Sequence, residues 1–568
     1  MKTLSTMLFT GILIFAALSL FPAGVAYAAT SLETCHDRSI QYRESRHRRS
    51  TLAFATELNV AVGTDIVSNC VTLSGIENDV EFRAKSKTKI SINGGPFETL
   101  PVKLKQGDQI KLMVNSGSKP GAHLKTHIYT YETSGNTKKY SSVVAWHVRV
   151  EPTINPPEQW QIGPSHQYQE LEEVMSLVGP GDVVLIEGDA TYKPFSIRGK
   201  NGTPDFPITI RGVEKNGRLP KFSGGTPKYN WTFSLRDSHF WNVENIILEG
   251  GGICYRHQSH GITFKNVIIR KCGNGILGTD KDSGSLTLSG IQLSESGGKP
   301  KGSNWRHGIY MATDRDRYPN SIFRIENSLL YNNLGNAIKS RAERTEVYNN
   351  WIETPEHKQS YYALELIGFD GYAAIDGIEH DVVGNVLRIN SPTHTVRIGG
   401  DGTGSSRGPS RFVSNIFVFS QNYNSYVFRA NHQLKSLLVE GNIFAKAKVS
   451  DQAATLVFDS IKPEGWVQGY PDIIFNNNLF NFETRNYRND NEALNSDTNY
   501  QSHISFSNNQ LQELESLSKL ISWKRISEDI LPILASLSLE TKSNISNPRA
   551  LSIEDIRPML VRPTVVEN

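Results

Sequence analysis

The chain has 568 residues, with 60 Lys and Arg against 57 Asp and Glu and a formal net charge of +3. That balance gives bulk electrostatics no reason to favour nucleic acid, so no nucleic-acid partner is expected. The 46 glycines and frequent Asn, set against few long helical patterns, lean toward β structure rich in turns.

At the N-terminus Lys2 gives a short positive start, Met7 to Phe21 is apolar, and Ala26-Tyr27-Ala28 fits the small-x-small cleavage rule. Residues 1–28 therefore read as a secretory signal. Thr10, Gly11 and Ser19 interrupt the apolar stretch and Pro22 and Gly24 follow it, whereas a spanning helix wants about 20 clean residues. The mature protein is expected to be secreted or periplasmic, with no membrane insertion after signal removal. Its length suggests two to four domains. Four cysteines in an exported chain suit disulfides. Cys35 with Cys70, and Cys254 with Cys272, are the pairs nearest in sequence, and free buried thiols are an equal alternative for the second pair. No Cys-x-x-Cys or His-rich spacing suggests zinc.

After an irregular stretch to about Ala55, residues 56–152 read as a small all-β domain. Alternating runs such as Lys89-Ile-Ser-Ile92, Gln109 to Val114 and Val143 to Val150 are separated by turn signals like Asn93-Gly-Gly-Pro96. This suits a sandwich of roughly seven strands in about 100 residues. The segment SINGGPFETLPVKLKQGDQIKLMVNSG, residues 91–117, resembles immunoglobulin-like modules that precede catalytic or binding domains in bacterial exported proteins. Pro152 to Pro157 reads as a linker. Leu171, Val174, Met175 and Val178 then recur at helical spacing, an amphipathic helix suited to closing the open end of a solenoid. Gly179-Pro-Gly181 stops it and Asp182 to Ile186 starts a strand.

An imperfect repeat follows, of the form apolar-x-Asn/Gly-x-apolar-apolar. It appears at Val243 to Leu248, Phe264 to Ile269, Leu288 to Leu293, Ile325 to Leu330, Val347 to Ile352 and Val383 to Leu387. Val413 to Phe417, Val439 to Phe444 and Phe475 to Phe480 continue it, and Phe506-Ser-Asn-Asn is a faded last copy. The intervals, 21 to 37 residues, indicate a solenoid. Strand-length apolar pieces with no helix formers between them disfavour helical repeats, and the dense leucine template of leucine-rich repeats is missing. Asn and Gly at the break supply the left-handed backbone of a sharp corner, and stacked Asn can hydrogen-bond from coil to coil. The expected fold is all-β: a right-handed parallel β-helix of about ten coils over 160–509, after the N-terminal β-sandwich. A partly helical cap is expected over 510–568, where Leu511 to Leu539 shows helical spacing.

In such a helix alternate strand residues point outward and form columns across coils. Five consecutive strands align by their inward apolar pair: Ile309-Tyr310-Met311, Ile338-Lys339-Ser340, Leu364-Glu365-Leu366, Val396-Arg397-Ile398 and Phe428-Arg429-Ala430. Their outward residues are Tyr310, Lys339, Glu365, Arg397 and Arg429. Arg341 lies two beyond Lys339 on the same face, with His307, Asn336 and His432 at neighbouring bends. Five coils span roughly 19 Å, a few sugar units. The guanidiniums suit a carboxylate-bearing polymer, although outward Lys-Glu-Arg neighbours also form surface ion pairs worth only ~0–1 kcal/mol.

Residues 165–212, including Val178-Gly-Pro-Gly-Asp182, Gly202-Thr203 and Pro207-Ile-Thr-Ile-Arg211, resemble the opening coils of polysaccharide lyases typified by chondroitinase B and alginate lyases. The core over 160–485 is similar to that wider superfamily, which also contains mannuronan C5-epimerases. Ile338-Lys-Ser340 with Val347-Tyr-Asn-Asn350 is similar to the lyase segment in which a lysine acts as base. The resemblance implies an anionic, uronate-containing polysaccharide as partner and abstraction of its C5 proton. Lys339 or His307 is then the base, Tyr310 the acid, and Arg341 and Arg397 the carboxylate ligands, with Glu365, Arg429 and Asn336 also binding substrate.

The sequence departs from those families at several points. Glu365 stands where the lyases supply a catalytic arginine, and Arg397 is one coil further on. The acidic residues that hold calcium just before the lysine are missing, so no cofactor is expected and calcium has no supporting motif. The Asp-Pro-His-Asp motif of the epimerases is absent, and Asp314-Arg-Asp-Arg317 does not replace it. Two other readings stay open. One is a glycoside hydrolase using two of Glu365, Asp370, Asp376 and Glu379; the other is a non-catalytic polysaccharide-binding or export-scaffold protein.

Overall fold

The computed structural model describes residues 35–39, 52–74, 79–84, 87–134, 137–224, 231–299, 305–368, 378–390, 395–400, 408–419, 426–430, 434–446, 454–459, 469–489 and 492–511. The expected secretory signal and the helical cap beyond Leu511 lie outside these residues, as do His432, Asp370 and Asp376. Among the described residues no helix is long and apolar enough to cross a membrane.

Two six-stranded sheets form the N-terminal sandwich. Phe54, Phe82, Ile110, Leu112 and Trp146 are fully buried between them. The stretch before residue 56 is not irregular throughout. His36–Ser39 pairs in parallel with Val71–Ser74, and Leu52–Ala53 pairs with the long strand Thr137–Val150. His36-Asp-Arg-Ser39 has no apolar alternation, which hides it from periodicity. A disulfide between Cys35 and Cys70 ties it in.

The rest of the described chain is a right-handed parallel β-helix with sheets of 13, 12 and 11 strands, each strand paired in parallel with its counterpart one coil away. Coils before Val243 lack the repeat yet supply strands, so the stack exceeds the repeat count. The helix at the open end is a single turn, Leu171–Val174, which still buries Leu171 and Val174, with Val178 just beyond, against the first coils. Inward residues make one continuous core: Ile309, Ile338, Leu364, Val396 and Phe428 are each 0% exposed in consecutive coils. Phe417, Phe444 and Phe480 stack face to face at 4.7 and 4.9 Å between centroids. Cys254 and Cys272, on adjacent coils, are disulfide-bonded, which removes the free-thiol alternative.

The corner of the repeat uses two adjacent positions for two tasks. The first holds left-handed backbone, as in Asn245 (φ 54°), Asn266 (53°), Asn349 (53°) and Gly384 (69°). The next residue points inward. It is aliphatic in early coils (Ile246, Val267, Ile291), Ser328 follows, and from Asn350 it becomes a buried amide ladder. Asn350, Asn385, Asn415, Asn442 and Asn478 each donate from Nδ2 to the Oδ1 of the next, ending on Asn509, at 2.9–3.0 Å. The ladder fixes coil-to-coil register at one corner, and hence the register of the strands that carry the site.

Candidate functional site

The 11-stranded sheet carries the column expected from the sequence. Tyr310 pairs with Lys339, Lys339 with Glu365, Glu365 with Arg397, and Arg397 with Arg429. Leu277 precedes this polar run in register and Phe458 follows it, so apolar neighbours bound it at both ends.

The column is recessed. Side-chain exposure is 14% for Lys339, 4% for Glu365 and 21% for Arg397. Segments upstream of the strands are tied to one another: the Gly335 amide donates to the Gln359 carbonyl and the Tyr361 amide to the Gly335 carbonyl, both at 2.7 Å.

Glu365 is the hub. Its carboxylate meets Lys339 Nζ at 3.2 Å and Arg397 Nη1 at 3.0 Å, and it accepts a hydrogen bond from Asn336 Nδ2. Lys339 lies over the Tyr310 ring at 5.4 Å, and Arg397 over the Tyr362 ring at 6.0 Å. Arg429 Nη1 donates to Tyr362 Oη at 3.3 Å. Among the described residues Glu365 is the one carboxylate in a column that also holds Lys339, Arg397 and Arg429.

Two of the expected site residues are engaged by the protein itself. Asn336, 2% exposed, uses its side-chain amide on Glu365 and its Oδ1 on the Tyr362 amide at 3.2 Å. Its amide thereby ties Glu365 to the Tyr362 backbone. His307 Nδ1 accepts the Asn336 backbone N–H at 3.1 Å, which leaves the ring proton on Nε2. Burial, reinforced by Lys339, holds this imidazole down at about 3, so it is neutral at physiological pH. In this arrangement the free lone pair is occupied by the Asn336 amide and the Nε2–H is the side of the ring left to donate. Its edge meets the Tyr310 ring at 5.7 Å. Arg341 lies at the downstream end of Ile338–Arg341, 5% exposed and in register with Ala312.

Of the acids offered for hydrolysis, the two described ones, Glu365 and Glu379, lie on different parts of the coil. Glu379 is 0% exposed and accepts the Gly408 amide at 2.6 Å, so of the described candidates only Glu365 borders the groove. No cluster of three or more metal-ligating side chains occurs among the described residues. Tyr362 escaped sequence reasoning, as did the exposed pair Trp305 and Tyr361. The available signal was position: Tyr361-Tyr362 precedes its strand just as Trp305-Arg-His307 precedes the strand bearing Tyr310.

No protein-family model matches the chain, and no curated protein does. Solved structures of similar fold include a pectate lyase, 12% identical with a TM-score of 0.36 over 66% of this chain and 88% of that one. An alginate lyase from a Paenibacillus species is 14% identical with a TM-score of 0.32 over 58% and 99%. The catalytic domain of an α-1,3-glucanase is 11% identical with a TM-score of 0.21 over 80% and 92%. Two are lyases and one a glucanase, so these likenesses select no reaction.

Proposed function

We propose that this is an exported protein whose 11-stranded sheet binds an anionic, uronate-containing polysaccharide and acts on it by removing the C5 proton. The observation that carries the reading is the recessed, in-register column Tyr310, Lys339, Glu365, Arg397 and Arg429, roughly 19 Å long. Its donors already hold one carboxylate, that of Glu365, and an incoming sugar carboxylate meets the same chemistry. In this mechanism Arg397 and Arg429, with Arg341 at the edge, neutralise the uronate. Lys339 takes the proton from C5, and the electron pair moves into a C4–C5 double bond as the C4–O bond breaks. Tyr310 gives its proton to the leaving oxygen; in an epimerase a proton returns to C5 from the opposite face instead. His307, as a neutral donor, steadies charge on the Tyr310 side. For Lys339 to act it has to leave its ion pair with Glu365 and give up a proton to water, because an ammonium donates and only the amine accepts.

That closed pair is the observation favouring a second reading, a non-catalytic polysaccharide binder. The test is incubation of the mature protein with a panel of uronate polymers while ultraviolet absorbance from unsaturated ends is followed, beside exchange of the C5 hydrogen with deuterated water. A signal that Lys339→Ala abolishes supports the enzyme. Neither signal, with binding retained, leaves the binder; absence of binding sinks both. Export is tested by finding whether the mature N-terminus follows Ala28.

A further inference from the structure

Large aromatics left open to water on a protein surface are normally scattered singly. Trp305 and Tyr361 are paired: they are 39% and 40% exposed, and their rings lie 5.8 Å apart at 40°. The segments that present them are tied down. Gly298 and Arg306 exchange backbone hydrogen bonds at 3.0 and 2.7 Å, the Lys299 amide donates to Gln359 Oε1 at 3.0 Å, and the Tyr361 amide donates to the Gly335 carbonyl at 2.7 Å. Water-facing rings held on fixed backbone retain their hydration cost, which a ligand with an apolar face relieves.

The pair continues the groove. The Tyr361 ring meets the Tyr362 ring edge-on at 4.8 Å, and Tyr362 receives Arg397 and Arg429. Trp305 lies two residues before His307. A cation completes the pair: Lys299 Nζ stands 5.4 Å from the Trp305 ring centre. A pyranose presents exactly such a mixture, C–H bonds on one face and polar groups around the rim, and a uronate adds a carboxylate on that rim.

We infer that Trp305 and Tyr361 form a stacking subsite for the C–H face of a uronate unit beside the charged column, with Lys299 meeting its carboxylate. The inference rests on the proposed polysaccharide groove and adds a contact that does not depend on the column's charges. Affinity electrophoresis of the mature protein through gels containing polygalacturonate or alginate tests it. Trp305→Ala and Tyr361→Ala should each weaken retardation about tenfold, and Trp305→Phe should largely restore it. Lys299→Ala should weaken binding less and lose its effect at high salt. Aromatic variants retarded like wild type, while Arg397→Ala is not retarded, would overturn the subsite and leave the groove standing. Wild type passing unretarded through both polymers overturns the groove and the subsite with it.

Discussion

Two charged columns run across the coils of this β-helix, and they differ in what surrounds them. On the 13-stranded sheet Arg324, Glu346, Asp381 and Arg411 pair in register. Glu346 takes Arg324 at 2.6 Å and Arg344 at 2.8 Å, while Asp381 is held by both Arg411 Nε and Nη2 and by Tyr348 Oη. Its cations are 41%, 35% and 29% exposed. On the 11-stranded sheet one described carboxylate serves Lys339 and Arg397, and those cations are 14% and 21% exposed. The first column is a surface ladder in which two adjacent acids are each answered by their own arginines. In the second the cations themselves are more deeply set. Outward charge in register, buried carboxylates and a ring beside a guanidinium are common to both, since Arg324 lies over Tyr348 as Arg397 lies over Tyr362; the lower exposure of its cations and its single carboxylate set the second apart.

Acid should have the largest effect on the stability of the fold. Burial holds His257, His307 and His380 at about 3, all well below the ordinary imidazole. Their folded forms therefore refuse protons that the unfolded chain accepts. The stability they contribute is intact above pH ~6.5 and declines as pH falls toward about 3. Asp314 opposes this: burial raises it to about 8, so its contribution falls as pH rises from ~4 toward 8. With three imidazoles against one carboxyl, the urea midpoint should drop steeply between pH 6.5 and 4. His307→Gln should make that slope shallower, and an unchanged slope would show that His307 is not buried neutral.

Glu365→Ala should have the next largest effect. It removes the carboxylate from between Lys339 and Arg397, leaving like charges facing one another in a recessed site, at a cost of about 3–5 kcal/mol. Denaturant unfolding measures the loss, and a midpoint like that of wild type would mean the column is solvated after all. The milder Glu365→Gln separates stability from binding. If the donors are a carboxylate site, this variant should bind uronate polymers more tightly than wild type, because the internal competitor is gone.

The fold was legible because a β-helix repeats its corner. Asn266 or Gly384 at the left-handed position and an apolar pair after it are local signals, and ten copies made the period plain. The register of Tyr310, Lys339, Glu365, Arg397 and Arg429 followed from the inward pairs alone, since a one-residue slip would turn every apolar side chain outward. What lay beyond sequence reasoning was three-dimensional. Asn336 and His307 were chosen for their chemistry, but their hydrogen bonds decide their parts, and those depend on the preceding segments folding over the coil. Those segments come from loops of unequal length, which carry no period. His36–Ser39 was missed for a related reason: a polar strand held by pairing and a disulfide leaves no pattern.

The ladder offers a control inside the core. Asn415→Leu should cost about 1–3 kcal/mol, because the facing amides of Asn385 and Asn442 each lose a buried partner. Asn266→Gly, one position earlier in its own corner, should stay within about 0.5 kcal/mol, since glycine takes the left-handed conformation freely. Equal losses from the two would erase the division of labour between adjacent corner positions.

The smallest effect belongs to the surface ladder, and it completes the comparison. Arg411 makes two good hydrogen bonds to Asp381, yet its side chain is 29% exposed, water competes for the guanidinium, and Asp381 keeps the Tyr348 hydroxyl. Arg411→Ala should therefore cost no more than about 1 kcal/mol, less at high salt, and leave polymer retardation unchanged. Arg397→Ala, the matching guanidinium of the recessed column, should abolish retardation and destabilise more, since Glu365 then loses one of its two cations in a nearly closed site. If the two arginine variants behaved alike in both assays, the geometric difference between the columns would have no energetic counterpart, and enclosure would no longer mark the 11-stranded sheet as the functional face.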